Sequence, residues 1–212
     1  MRVQKISKGQ LARILSSLEG FEKPKVRQEQ YITEPEIAAD MLWKAYMIGD
    51  IDKRKVADLG AGPGSLGIGA LVLGASKVYF VENDGNAIEI AKRNIAKVKS
   101  EGLIAGSKAE FSLMEVKSFK ERVSTVFQNP PFGVKARSAD RIFLEKAAEI
   151  AKIVYSIHKS ETEGFVVSFM KAKGARLTHK WDYRLGLKAT YKWHIRRIKR
   201  IEVSCFRFLL IK

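Results

Sequence analysis

Short apolar runs alternate with helical stretches along most of this chain, and that alternation constrains the fold more than any other feature. Residues 55–59, 77–81, 111–116, 124–128 and 153–157 each read as a strand. Segments 65–73, 86–99, 140–151 and 162–172 carry apolar residues at helical spacing. Strands separated by helices form a parallel sheet covered on both faces. Two last strand-like runs, 175–184 and 201–211, have no helix between them and are expected to pair antiparallel. The predicted fold is therefore α/β: a seven-stranded, mostly parallel sheet with a C-terminal antiparallel hairpin and helices on both faces.

Ahead of the first sheet strand, Leu11, Ile14, Leu15 and Leu18 repeat at helical spacing over 7–18, and Gly20 stops that helix. Thr33-Glu34-Pro35-Glu36 has the form of a capping box with Thr33 as N-cap. The helix it opens continues through Ile37, Met41 and Trp43. With 212 residues, 46% of them hydrophobic, one domain over 1–212 is expected, with 1–50 as an N-terminal helical cap. A single cysteine, Cys205, excludes a disulfide framework, and with three histidines no metal site is expected. Cys205 itself, in the last strand, reads as a small buried hydrophobe. No apolar run approaches the ~20 residues of a membrane helix, and no signal-peptide pattern opens the chain. The expected setting is cytoplasmic, with no membrane partner.

Asp58-Leu59-Gly60-Ala61-Gly62-Pro63-Gly64 closes the first sheet strand and opens a helix. Glycines there permit a tight turn and let a ligand lie against the backbone. Glu82 ends the next strand 22 residues after Gly60, where a carboxylate can accept hydrogen bonds from ribose hydroxyls. Two readings compete. Gly62-x-Gly64-x-x-Gly67 fits a dinucleotide fingerprint but is displaced two residues into the helix. Asp-x-Gly-x-Gly-x-Gly resembles motif I of S-adenosylmethionine-dependent methyltransferases. In that reading Asp58 orients the loop or meets the methionine ammonium, Gly60 and Gly62 border the methionyl part, and Glu115 meets the adenine amino group.

Asn129-Pro130-Pro131-Phe132 follows the fourth strand, beside the crevice where open α/β sheets bind ligands. Two prolines stiffen the turn and remove two backbone donors. The Asn129 side-chain oxygen and the Pro130 carbonyl can then both face an exocyclic amine, and Phe132 can stack on the ring that carries it. An aromatic amine is a poor nucleophile because its lone pair is delocalised. Two acceptors gripping its N–H groups favour pyramidal nitrogen and accommodate the positive charge of methyl transfer. The alternative for the tetrapeptide alone is a proline turn with an anchoring phenylalanine.

Together these loops resemble the amino-methyltransferases of nucleic acids and proteins. Gln30-Tyr31-Ile32-Thr33, the run from Gly133 to Asp140, Val154–Ser160, Tyr191-Lys192-Trp193-His194 and Ile201-Glu202-Val203 narrow the likeness. Over roughly residues 26–210 the chain resembles the methyltransferase-like 5 family, in an archaeal-type form. The resemblance implies a Rossmann-like class I methyltransferase fold and S-adenosyl-L-methionine as cofactor. It implies transfer of a methyl group to the adenine amino group of RNA, in small-subunit rRNA, giving 6-methyladenosine. It implies a catalytic loop of Asn129, Pro130, Pro131 and Phe132. It places Gln30, Tyr31, Thr33, Asp58, Gly60, Gly62, Pro63, Gly64, Ser65, Glu82, Asn83, Glu115 and Val116 around the cofactor. It also raises a small zinc-binding activator subunit at the third-strand edge (Phe111, Leu113), against a self-sufficient monomer. Glu82 and Glu115 stand where aspartates are expected, and Ile32 replaces a proline.

The net charge of +16 is concentrated: residues 171–212 hold 13 basic and 2 acidic groups, a net +11. Such asymmetry suits a polyanionic partner; the competing reading is a solubilising basic surface. Lys192, Arg196, Arg197, Lys199 and Arg200 are candidate phosphate contacts, interleaved with Tyr191 and Trp193 as stacking candidates. Lys135, Arg137 and Arg141 after the Asn129 loop, and His158 and Lys159 just past the fifth strand, are further RNA candidates. A base must leave its stack to reach Phe132, so unpaired RNA is expected. A protein glutamine methyltransferase, a guanine amino-methyltransferase and an RNA-binding scaffold on an inactive fold are the alternatives.

Overall fold

The structure, a computed structural model, describes residues 6–21, 33–104, 106–131, 136–187 and 199–211. Seven strands form one sheet: β1 (Lys55–Leu59), β2 (Lys77–Glu82), β3 (Lys108–Leu113), β4 (Val123–Gln128), β5 (Ala151–Lys159), β6 (Ala175–Leu187) and β7 (Lys199–Leu210). Their order is β3-β2-β1-β4-β5-β7-β6. The first five are parallel, and β7 runs antiparallel to both β5 and β6. The α/β sheet and its terminal hairpin are thus as expected.

Several boundaries differ from the sequence reading. The third strand is 108–113, so Glu115 and Val116 lie beyond it, at the start of a short 3-10 turn (Val116–Ser118). Leu113 closes the strand and Met114 follows it, both exposed, so the apolar residues there extend past the strand itself. The fifth strand reaches Lys159 because 158 and 159 pair with Ser204 and Val203 of β7. His158 is therefore inside a strand rather than past it.

The helices are α1 (Lys8–Ser16), α2 (Pro35–Ile48), α3 (Ser65–Val72), α4 (Gly85–Ser100), α5 (Ala136–Ile150) and α6 (Glu163–Ala172). Ser7 and Gln10 form a reciprocal capping box on α1. The box expected at Thr33 does not form. Pro35 occupies the first turn of α2, Glu34 is the N-cap residue, and no side chain caps it. Proline suits that first position because it has no N–H to leave unsatisfied. The Thr33 hydroxyl is used elsewhere, in the site below.

Apolar residues fill both sides of the sheet. Val56, Val78, Phe80, Phe127 and Tyr155 pack with α1, α2 and α3. Ala57, Leu59, Val126, Val154 and Phe206 pack with α5 and α6. Cys205 is fully buried, as expected. Among the described residues no helix is long and apolar enough to cross a membrane.

Candidate active site at the carboxyl ends of β1, β2 and β4

Strand order reverses between β1 and β4, the topological switch point at which open α/β sheets leave a crevice. Leu59 pairs with Val81 on one side and with Gln128 on the other. The next residues along, Gly60, Glu82 and Asn129, therefore emerge side by side at one end of the sheet.

The chain turns sharply after β1. Gly60 and Gly62 have φ of +68° and +53°, a left-handed backbone that side chains with a Cβ rarely adopt. The Gly60 and Ala61 N–H groups both donate to the Val81 carbonyl, at 2.9 and 3.0 Å. Two carboxylates fix the rest of the turn. Asp58 Oδ2 accepts from the Gly67 N–H at 2.7 Å, inside the first turn of α3. Glu82 Oε2 accepts from the Gly62 N–H at 2.8 Å, and its Oε1 accepts from the N–H groups of Asn83 and Asp84. A carboxylate offers about four acceptor positions, so Glu82 keeps capacity for a further donor. Asp58 is buried. Desolvation pushes its carboxyl up to about 7, opposed by the Gly67 N–H and reinforced by the Glu82 charge.

The remaining cofactor candidates surround this turn. Pro63 and Gly64 are buried and Ser65 is half-buried at the start of α3. The Asn83 side chain donates to Glu115 Oε1 at 3.0 Å, which brings Glu115 beside Glu82 although it lies beyond β3. Glu115 is exposed and Val116 is buried. Two features were not anticipated from sequence. Buried Asn94 of α4 donates to the carbonyls of Pro63 and Glu19 and accepts from the Glu19 N–H, tying the segment after α1 to the turn. The rings of Phe21 and Phe143 sit where a Cβ on Gly62 or Gly60 would fall, 2.9 Å from each. No spacing pattern marks Phe21, Phe143 or Asn94, because their partners are far away in the chain.

Asn129 follows β4. Its Nδ2 donates to the buried Thr33 hydroxyl at 2.9 Å, and its Oδ1 is buried with no partner among the described residues. In this orientation the oxygen, an acceptor, is the free end of the amide. Thr33, expected at the cofactor, thus also meets the Asn129 loop. Pro130 is buried and Pro131 half-buried. Phe132, Gln30, Tyr31, Lys135, Tyr191, Lys192, Trp193, Arg196 and Arg197 lie outside the described residues. The side chains of Arg137, Lys199 and Arg200 do as well. Arg141 is exposed on α5, and the Lys159 ammonium lies 3.5 Å from Glu161. His158 is the correction: at 1% exposure it is inside the protein and cannot touch RNA as a surface side chain.

The turn, the partly free Glu82 carboxylate and the orphaned Asn129 oxygen fit a nucleoside cofactor carrying an amino-acid tail better than one carrying a pyrophosphate. Glu82 crosses back to the Gly62 N–H and puts negative charge where phosphates would need donors. Sheet order, antiparallel seventh strand and glycine turn define a Rossmann-like class I methyltransferase. The family model "Conserved hypothetical protein 95" matches residues 40–172. The rRNA N(6)-adenosine-methyltransferase Mettl5 of Drosophila melanogaster is 35% identical, over 93% of this chain and 94% of its own. The Danio rerio METTL5 protein is 33% identical, over 94% and 97%. The crystal structure of a proposed RNA methyltransferase from Pyrococcus horikoshii superposes with a TM-score of 0.87 at 39% identity, covering 99% of this chain and 100% of that one. The chain belongs to the Conserved hypothetical protein 95 family and to the methyltransferase-like 5 proteins.

Proposed function

We propose that this protein transfers a methyl group from S-adenosyl-L-methionine to the exocyclic amine of an adenine in small-subunit rRNA. The observation that carries the reading is the Asn129 amide, held through its nitrogen by Thr33, with a buried acceptor oxygen that has no partner among the described residues, beside the glycine turn. When bound, the cofactor supplies an electrophilic sulfonium methyl. Asp58, Gly60, Gly62, Pro63, Gly64 and Ser65 line its amino-acid end, and Thr33 contributes from just before α2, with Gln30 and Tyr31 as further candidate contacts by sequence. Glu82 and Asn83 take the ribose, and Glu115 with Val116 flank its base. Asn129 Oδ1 and the Pro130 carbonyl accept the two N–H groups of the target amine, and Pro131 and Phe132 shape the pocket for its ring. These acceptors tilt the amine lone pair out of conjugation, which is electrostatic preorganisation and needs no strong base. The whole chain, 1–212, acts as one methyltransferase domain in the cytoplasm.

RNA is the substrate that the names of the relatives support, and the basic C-terminal segment agrees with it. A small zinc-binding activator at the β3 edge is supported by two features. That strand is at the end of the sheet order, and Leu113 there is 62% exposed.

Labelled S-adenosylmethionine, ribosomal RNA and mass spectrometry of the product nucleosides test the reading. 6-methyladenosine is expected; methyl-guanosine, or label in protein alone, overturns it. Asn129→Ala should reduce transfer by a factor of about 100 or more, as loss of a preorganised transition-state interaction does, with cofactor affinity nearly unchanged.

A further inference from the structure

Four buried side-chain atoms among the described residues have no hydrogen-bond partner: Gln128 Oε1, Asn129 Oδ1, Asp140 Oδ1 and His158 Nδ1. All four lie around the loop between β4 and α5. Asn129 belongs to the site described above. The other three belong to a polar chain running beneath it, between the sheet and α5.

Gln128 and Ser156 are paired across β4 and β5. Gln128 Nε2 donates to Ser156 Oγ at 2.9 Å, and Ser156 Oγ lies 2.5 Å from His158 Nε2. His158 Nδ1 then faces Asp140 Oδ1 at 3.2 Å, an ion-pair distance that misses hydrogen-bond alignment. Ser156 accepts from Gln128 and shares a second hydrogen bond with His158 Nε2. With the imidazole proton on Nδ1, Nε2 accepts the Ser156 hydroxyl and the Nδ1–H faces the carboxylate. Gln128 and Ser156 are fully buried, His158 is 1% exposed and Asp140 is 8% exposed.

Serine, histidine and aspartate in this sequence of contacts form a nucleophile triad on other folds. Here the serine is enclosed by the sheet, so no substrate reaches it. Burying an imidazole against a carboxylate is costly, and apolar side chains would fill the same space without orphaned atoms. The arrangement therefore needs another reason, and its two ends supply one. Gln128 immediately precedes Asn129, and Asp140 lies in the second turn of α5, which starts at Ala136. The segment between β4 and α5 thus meets one imidazole at both ends, through hydrogen bonds on the Gln128 side and across 3.2 Å to the Asp140 carboxylate on the other.

We propose that His158 is a positioning residue for methyl transfer, holding the Asn129 loop through Ser156 and Gln128 at one end and Asp140 at the other. This rests on the reading of that loop as the amine-binding site. The reacting nitrogen must lie in line with the methyl group, and displacement of a catalytic group by about 1 Å can cost a factor near 100.

The test uses the full chain with ribosomal RNA. It compares the single-turnover transfer rate at saturating S-adenosylmethionine, the cofactor dissociation constant by calorimetry, and the thermal midpoint. His158→Phe keeps a ring of similar shape but none of the bonds, and should slow transfer by a factor of about 10 or more. Ser156→Ala removes one link, and His158→Asn keeps an N–H toward Asp140; each should slow transfer by a factor of about 3–5. Cofactor affinity should stay within about twofold of the wild type in all three. If His158→Phe does not fold, Ser156→Ala decides alone. An unchanged rate in Ser156→Ala, or rate and cofactor affinity falling together, overturns the positioning role. If the wild-type protein itself methylates no adenine, the reading of the site fails first and the role of His158 falls with it.

Discussion

At the residue scale, Thr33 holds the Asn129 amide by its nitrogen end. Its oxygen accepts from Asn129 Nδ2, which leaves Oδ1 as the free acceptor. Thr33→Val removes the acceptor at nearly constant volume and leaves a buried donor unsatisfied, a change of about 1–3 kcal/mol. Methyl transfer should slow by a factor of about 10, because a flipped or rotated amide presents donors to an amine that is itself a donor. A kinetic comparison at saturating cofactor checks this, and a cofactor affinity near wild type would separate the role from a direct cofactor contact. Asp58 makes a different prediction, about pH. Its carboxyl is raised to about 7 in the folded protein, chiefly by desolvation, against an ordinary 3.8. A raised acid binds its proton more tightly in the folded state. Its contribution to stability is complete below pH 3.8 and is lost as pH rises through about 7. Asp58→Asn keeps an oxygen for the Gly67 N–H but carries no proton to lose. Denaturant unfolding should therefore show the wild type losing stability relative to Asp58→Asn between about pH 4 and about pH 7, with other groups common to both proteins.

At the element scale, the C-terminal hairpin is joined to the rest of the sheet by a buried ion pair as well as by its strand ladder. Arg207 of β7 donates through Nε and Nη2 to Asp50, at 2.7 and 3.2 Å, and through Nη1 to Thr178 of β6. The Tyr155 hydroxyl of β5 donates to the same Asp50 carboxylate at 2.6 Å. Asp50 follows α2, so one carboxylate links a helix end to β5 and β7. Asp50→Ala leaves the guanidinium buried without its partner and should destabilise the protein by about 3–5 kcal/mol in equilibrium unfolding. The elements themselves were largely legible in sequence, because apolar runs and helical spacing report burial directly. The glycine turn and the Asn129 loop were legible for a related reason: glycine and proline are chosen by backbone demands that are local. What sequence did not show depends on distant partners. The Thr33 capping box looked right by spacing, yet its hydroxyl is taken by a residue 96 positions away, and Pro35 was the better guide to where α2 begins. His158 looked like a surface residue because its strand mate Ser204 is 46 positions downstream.

At the scale of the whole molecule, the sheet decides where the basic segment is delivered. The last pair between β5 and β7 joins Lys159, at the carboxyl end of β5, to Val203. Residues 199–202 of β7 and 184–187 of β6 therefore extend past that end, which is the end where Gly60, Glu82 and Asn129 emerge. The Glu34 carboxylate accepts from the Gly186 N–H at 2.6 Å, and the neighbouring Thr33 holds Asn129. The hairpin end is thus linked to the Asn129 amide through two adjacent residues, and the chain leaves at Leu187 and re-enters at Lys199, at the site end of the sheet. Most of the net +11 of residues 171–212 comes from the cations in and beside that connection, with Lys188, Lys192, Arg196, Arg197, Lys199 and Arg200 in sequence. If these cations neutralise phosphates beside the target adenine, each releases counterions, and the logarithm of affinity falls linearly with the logarithm of salt. Reversing Arg196, Arg197 and Arg200 to glutamate should weaken RNA binding at low salt and reduce the salt slope by about one for each phosphate no longer neutralised. Cofactor affinity, read by calorimetry on the same protein, should not change. A slope equal to wild type would mean that the segment is a solvated basic surface, and that the adenine is brought to Asn129 by other cations such as Lys135, Arg137 and Arg141.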